Sequence, residues 1–208
     1  MKKTNNKGFS LVELIIVIAI MAILAGAIAP ALIKYIDKSR KSNDVSSAKT
    51  IKTAVETALG TEEVYETLTN PSGTNTAVIL KFTSGATVSA WAATDASTKY
   101  VTVINCDGNP NANVTMTDDE IAKAVASNIG EKIPKTKYKK EIAPDGTKDG
   151  TGDKFTPSTY YAFITKSGTV FVVVGGDTTP TYHEASGTVA ASFENGAQLA
   201  PEVCKGYQ

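Results

Sequence analysis

A chain of 208 residues with 21 Lys plus Arg against 21 Asp plus Glu, two cysteines and one histidine carries balanced charge and few metal or redox ligands. That balance argues against a nucleic-acid-binding surface as its main business, and two cysteines with one histidine fall short of a four-ligand zinc site. The length left beyond the first helix, about 150 residues, suffices for one globular head with a real core.

The chain opens on a short basic stretch, with Lys2, Lys3 and Lys7, that leads into Gly8-Phe9-Ser10-Leu11-Val12-Glu13-Leu14. From Phe9 to Ile33 only Ser10 and Glu13 carry polar side chains. As a helix this run measures about 37 Å, more than the roughly 30 Å of a bilayer's hydrocarbon core. One carboxylate therefore falls in an apolar span, where it is costly and needs a partner. Residues 1–8 contain no apolar segment between the lysines and the glycine, so they do not read as an ordinary secretory signal peptide. Gly26 and Pro30 are the weak points of the run. Proline lacks an N–H and crowds the carbonyl four residues back, which predicts a kink near Gly26. Lys34, Lys38, Arg40 and Lys41 follow the run and outnumber the three leading lysines, so charge alone leaves the orientation open.

From Lys34 to Leu59 the helix is expected to continue in water. Val45, Ala48, Ile51, Val55, Ala58 and Leu59 recur at spacings of three and four, an apolar stripe with Lys49, Lys52 and Glu56 largely off it, and Gly60 supplies a stop. The alternative is an amphipathic helix lying on a membrane surface. The head, residues 60–208, reads as strand-rich with one further helix. Strands are expected at 76–82 and 100–104, and a hairpin at 160–165 and 169–174 around Lys166-Ser167-Gly168. Thr117-Asp118-Asp119-Glu120 has the form of a capping box for a helix ending before Gly130. Residues 142–157, mostly Gly, Asp, Thr, Lys and Pro, read as an exposed loop. No internal repeat is present. The expected fold is α+β: a long N-terminal helix, apolar in its first half and amphipathic in its second, packed on an antiparallel sheet.

Chemical sites are scarce. Asp145, Asp149 and Asp153 recur every four residues, whereas an EF-hand loop needs ligands every second residue and a closing glutamate, so a solvated loop is expected and no metal or other cofactor. His183 reads as a surface residue. No general base stands beside a plausible nucleophile in a recognisable motif, which argues against an enzyme.

Gly8-Phe9-Ser10-Leu11-Val12-Glu13-Leu14, after a basic leader and before an apolar helix, resembles the class III signal of type IV prepilins and the related pseudopilins. The resemblance covers about the first 60 residues. It implies that a membrane-embedded prepilin peptidase cuts between Gly8 and Phe9 and that the new Phe9 amine is N-methylated. Residues 1–8 are then a leader, and its loss leaves 18 positive against 21 negative side chains, or −3. Residues 9–33 become the transmembrane and filament-core helix, 34–59 its amphipathic continuation, and 60–208 an extracellular head. Freed by cleavage, the Phe9 amine lies one helical turn from Glu13, and in an assembly a neighbour's amine can reach that carboxylate. Glu13 is thus the expected assembly residue, with a protonated or snorkelling side chain as the alternative. In pilins a proline at the place of Pro30 is usual, whereas Ala22 stands where many members have a second glycine.

Cys106 and Cys204, in an exported chain, are candidates for one disulfide, much as many pilins tie down their C-terminal region; two free cysteines are the alternative. The function so implied is a structural subunit of a type IV pilus for adhesion or motility. Its partners are copies of itself in a helical filament, the prepilin peptidase, an inner-membrane assembly platform and, before assembly, membrane lipid. The protein begins as a single-pass membrane protein with its head outside and ends on the cell surface. The alternatives are a pseudopilin of a type II secretion or DNA-uptake machine, where nucleic acid is an indirect partner, and a plain membrane-anchored binding domain.

Overall fold

The computed structural model describes residues 9–71, 75–82, 101–105, 118–130, 132–144, 154–184 and 192–208. Helix α1 (Leu11–Ala58) is 48 residues long, and the chain divides into two compact units between Ser39 and Arg40, within this helix.

In the first unit the helix turns its apolar residues outward all round: Leu11 is 74% exposed and Ile23 72%. Over its most apolar 18 residues the mean hydropathy is 2.9, and by length and composition the helix can cross a membrane. Pro30 lies inside the helical span, and helix is assigned on both sides of it.

In the second unit the same helix is amphipathic. Ala48, Ile51, Ala54, Val55 and Ala58 are buried, as the three-and-four spacing requires, with Val45 and Leu59 partly buried beside them. Lys52 and Glu56 pair on the solvent side. Gly60 does not form a left-handed cap. The helix closes instead through three-residue bonds, Gly60 N–H to Thr57 O at 3.1 Å and Thr61 N–H to Ala58 O at 3.1 Å. A short helix, α2 (Glu62–Leu68), follows at once and buries Val64, Thr67 and Leu68. It is an addition to the single further helix expected. Glu62 and Glu63 occupy its first turn, where negative charge complements the helix dipole.

Five strands form the main sheet: β1 (Ala77–Phe82), β2 (Val101–Asn105), β3 (Thr159–Thr165), β4 (Val170–Gly175) and β7 (Gly196–Ala200). Their order is β2-β1-β3-β4-β7, and every neighbouring pair is antiparallel. Register is set by alternation. Val78, Leu80, Phe82, Tyr160, Ala162, Ile164, Val170, Val172 and Val174 join the core that contains the α1 stripe. The residues between them, Ala77, Ile79, Tyr161, Phe163 and Val173, face the other way.

That opposite face is covered by a two-stranded ribbon, β5 (Thr181–His183) and β6 (Ser192–Glu194). Tyr182 and Phe193 from the ribbon meet Phe163 and Phe171 of the sheet, with Phe163 and Phe193 ring centres 5.0 Å apart and Phe171 and Tyr182 5.8 Å apart. Such pairs contribute about 0.5–1.5 kcal/mol each beyond their buried area. Both faces of the sheet are therefore apolar, which explains why β1, β3 and β4 read as nearly unbroken hydrophobic runs.

The β3–β4 hairpin turns where expected. Gly168 has a φ of +79° there, and a Cβ on it would come 3.1 Å from the Tyr65 ring of α2. Helix α3 (Asp118–Ile129) buries Ile121 and Val125; Thr117, its expected cap, lies outside the described residues. The 142–157 loop is not wholly exposed. Ile142 and Phe155 pair as an antiparallel bridge, with Ile142 and Pro157 buried, because an apolar residue at each end of the segment finds the core; Asp145, Asp149 and Asp153 lie outside the described residues.

Candidate functional site

The prominent acids of α1 are held in different ways. At the start of the helix, Phe9 is 86% exposed and Ser10 precedes the first helical residue. The Ser10 N–H donates to Glu13 Oε2 at 2.9 Å, and the Leu14 N–H to Ser10 O at 3.2 Å. Ser10 and Glu13 thus occupy the N-cap and third helical positions, and the carboxylate satisfies one of the donors that every helix start leaves unpaired. The positive end of the helix dipole favours the same charge. Ser-x-x-Glu is a capping signature that could have been read from sequence, and it gives Glu13 a partner within its own first turn. Gly8, on the other side of the expected cut, lies outside the described residues. Gly26 has open space beside it: among the described residues a Cβ there would meet nothing within 4 Å.

Asp44, by contrast, has no exposed surface. Its Oδ1 accepts the Lys137 N–H at 2.6 Å and the Tyr160 hydroxyl at 3.3 Å. Its Oδ2 accepts the Tyr138 N–H at 3.0 Å and the Tyr207 hydroxyl at 3.1 Å. Burial first, and the charge of Asp44 second, push both tyrosine hydroxyls far above the ordinary tyrosine range. They remain protonated donors. One turn earlier, Lys41 donates to Gly206 O at 2.7 Å, its ammonium 5.3 Å from the Tyr138 ring centre and 6.0 Å from that of Tyr207. Four donors saturate a carboxylate that would otherwise be prohibitive to bury.

The two cysteines follow strands at opposite edges of the sheet. Cys106 comes directly after β2, and it lies outside the described residues. Cys204 comes shortly after β7 and is held there by its N–H donating to Gln198 O at 2.9 Å. It is half-buried, and burial pushes its thiol up.

His183 is exposed, 3.5 Å from the Glu194 carboxylate across the β5–β6 ribbon. A polar cleft of about 520 Å³ lies among Glu141, Lys154, Phe155, Asp177 and Asn195. Among the described residues no group of three or more His, Cys, Asp or Glu side chains converges to hold a metal ion.

Residues 3–29 match the model of the prokaryotic N-terminal methylation motif. A type IV major fimbrial protein of Dichelobacter nodosus is 34% identical over 110 residues, which span 51% of this chain and 70% of that protein. Fimbrial protein Q of Moraxella bovis is 50% identical over 54 residues, 26% of this chain and 34% of the relative. The type IV major pilin protein of Myxococcus xanthus (strain DK1622) is 35% identical over 69 residues, 33% of this chain and 31% of the relative. Of these last two relatives the matched segment spans about a third. No solved structure matches the chain. The match to the Dichelobacter protein runs beyond the methylation motif and the apolar helix into the head, and with it the chain belongs to the type IV pilin family.

Proposed function

We propose that the protein is a structural subunit of a type IV pilus, built into a surface filament through the first part of α1 and displaying its head for adhesion or motility. The observation that carries this reading is an apolar helix exposed on every side whose first turn holds the Glu13 carboxylate, directly after Gly8-Phe9. A contiguous apolar surface of this size needs lipid or other copies of itself.

The steps follow from the residues. A prepilin peptidase cuts between Gly8 and Phe9, residues 1–8 leave, and the Phe9 amine is methylated. A secondary amine stays protonated at neutral pH, so the charge survives. Before cleavage Glu13 is served by the Ser10 N–H; afterwards it has acceptor capacity left for an ammonium, its own Phe9 or a neighbour's. Before assembly residues 9–33 span the membrane with residues 60–208 outside; an assembly platform in that membrane then passes the subunit into the filament. Gly26 and Pro30 provide a position at which the helix can bend as copies pack, since the proline removes one backbone bond and, among the described residues, nothing lies within 4 Å of where a Cβ on the glycine would sit.

Mass spectrometry of protein from sheared surface filaments tests the reading, with an N-terminus at Phe9 bearing one methyl group as the expected result. A mature N-terminus elsewhere sinks the processing step. A correctly cut protein in cells whose surface filaments are the same with and without the gene moves the assignment to a pseudopilin. The names of the relatives, fimbrial proteins and major pilins, favour the pilus.

A further inference from the structure

We infer that Tyr207 is a latch: its hydroxyl completes the donor set of Asp44, so that docking of residues 205–207 and docking of residues 133–139 on α1 are one cooperative event. The inference does not depend on the filament reading. The four donors to Asp44 come from three places in the sequence, the adjacent amides of Lys137 and Tyr138, Tyr160 of β3, and Tyr207.

The terminal turn is fitted to its place by more than this bond. A Cβ on Gly206 would lie 2.2 Å from Ala143 O, the Gly206 N–H donates to Pro144 O at 3.3 Å, and Lys41 holds the Gly206 carbonyl. Tyr207 packs edge-on against Tyr138 with ring centres 6.0 Å apart and is 4% exposed. The ring that brings the fourth donor also covers the residue that gives the second. Without Tyr207 the carboxylate is left short of a donor and open on one side, and water entering there competes for the Lys137 and Tyr138 amides.

Hydrogen exchange on the full-length, detergent-solubilised protein reads this directly, because those amides lie about seventy residues from the substitution in sequence. Tyr207→Phe keeps the ring and removes the hydroxyl. It is expected to speed exchange of the Lys137 and Tyr138 amides about tenfold or more, the ordinary worth of a hydrogen bond to a charged group. Truncation after Lys205 is expected to speed it further. If both variants loosen only the C-terminal amides and leave 137–138 at the native rate, the latch is overturned. If the truncated chain fails to fold, Tyr207→Phe decides alone: faster exchange at 137–138 supports the coupling and an unchanged rate refutes it.

Discussion

Glu13 and Asp44 sit on the same helix, yet among the described residues one lies on an open surface with a single donor and the other is sealed with four. The difference separates what the subunit completes by itself from what it leaves for others. Around Asp44, every part of the carboxylate is answered by the chain's own residues. Around Glu13, one oxygen is answered by Ser10, and the surrounding surface is leucine, isoleucine and valine. A saturated acid fixes a fold; an unsaturated one in an apolar field invites a partner.

Asp44→Ala is the largest break expected. It leaves two amides and two hydroxyls without their acceptor in the core, at about 3–5 kcal/mol in total, a substantial share of the 5–15 kcal/mol that holds a domain together. Chemical unfolding of the solubilised protein checks it. A loss under about 1 kcal/mol would mean that water or local shifts satisfy those donors. Gly206→Ala should come next. The methyl group meets backbone, the Ala143 carbonyl, so relief requires the terminal turn to move, at about 1–3 kcal/mol. The same unfolding experiment reads it, and wild-type stability would show that the turn is not seated on residues 143–144.

The Asp44 site also sets an alkaline limit. In the unfolded chain tyrosine hydroxyls ionise near about pH 10. Folded, Tyr160 and Tyr207 hold their protons well above that, chiefly through burial. Above about pH 10 the folded state thus binds more protons than the unfolded one, and stability must fall as pH rises; below it this contribution is fully present. Tyr207→Phe should flatten the decline. An identical decline in that variant would assign it to other groups.

How far sequence leads differs between the regions in the same way. The helix, its apolar first half, β1, β3, β4 and the hairpin turn at Gly168 follow from periodicity and β-branched runs, because those signals are local. So did Asp44 in principle: positions 44, 48, 51, 55 and 58 continue one stripe, and an acid on a buried stripe announces a partner. Its partners lie 93 to 163 residues away, and no local pattern reveals them. Ribbon strand β6 and edge strand β7, Ser-Phe-Glu and Gly-Ala-Gln-Leu-Ala, carry little intrinsic strand preference and exist because the sheet offers them partners. Spatial order is likewise invisible along the chain. Labelling of the denatured, unreduced protein tests the proposed Cys106–Cys204 bridge: no reactive thiol is the expected outcome, and two would exclude it.

Glu13→Val is expected to disturb the subunit least and the assembly most. Within the chain it removes one bond, Glu13 Oε2 to the Ser10 N–H, at an exposed helix end where capping interactions are worth about 0.5–2 kcal/mol and fraying is local. Valine also makes the span more apolar, so insertion is preserved or improved. The unfolding of the head should match the wild type. Cleavage after Gly8 should persist. What is lost is the one charged acceptor in the apolar stretch, the group through which a neighbour's Phe9 ammonium would recognise its register. Filament yield by electron microscopy, measured beside membrane content of the cleaved subunit, separates the roles. Cleaved, inserted subunit with few filaments is the expected outcome. Failure to insert would give Glu13 a part in the membrane step, and wild-type filament yield would show that apolar packing alone assembles the fibre and that Glu13 serves only its own helix.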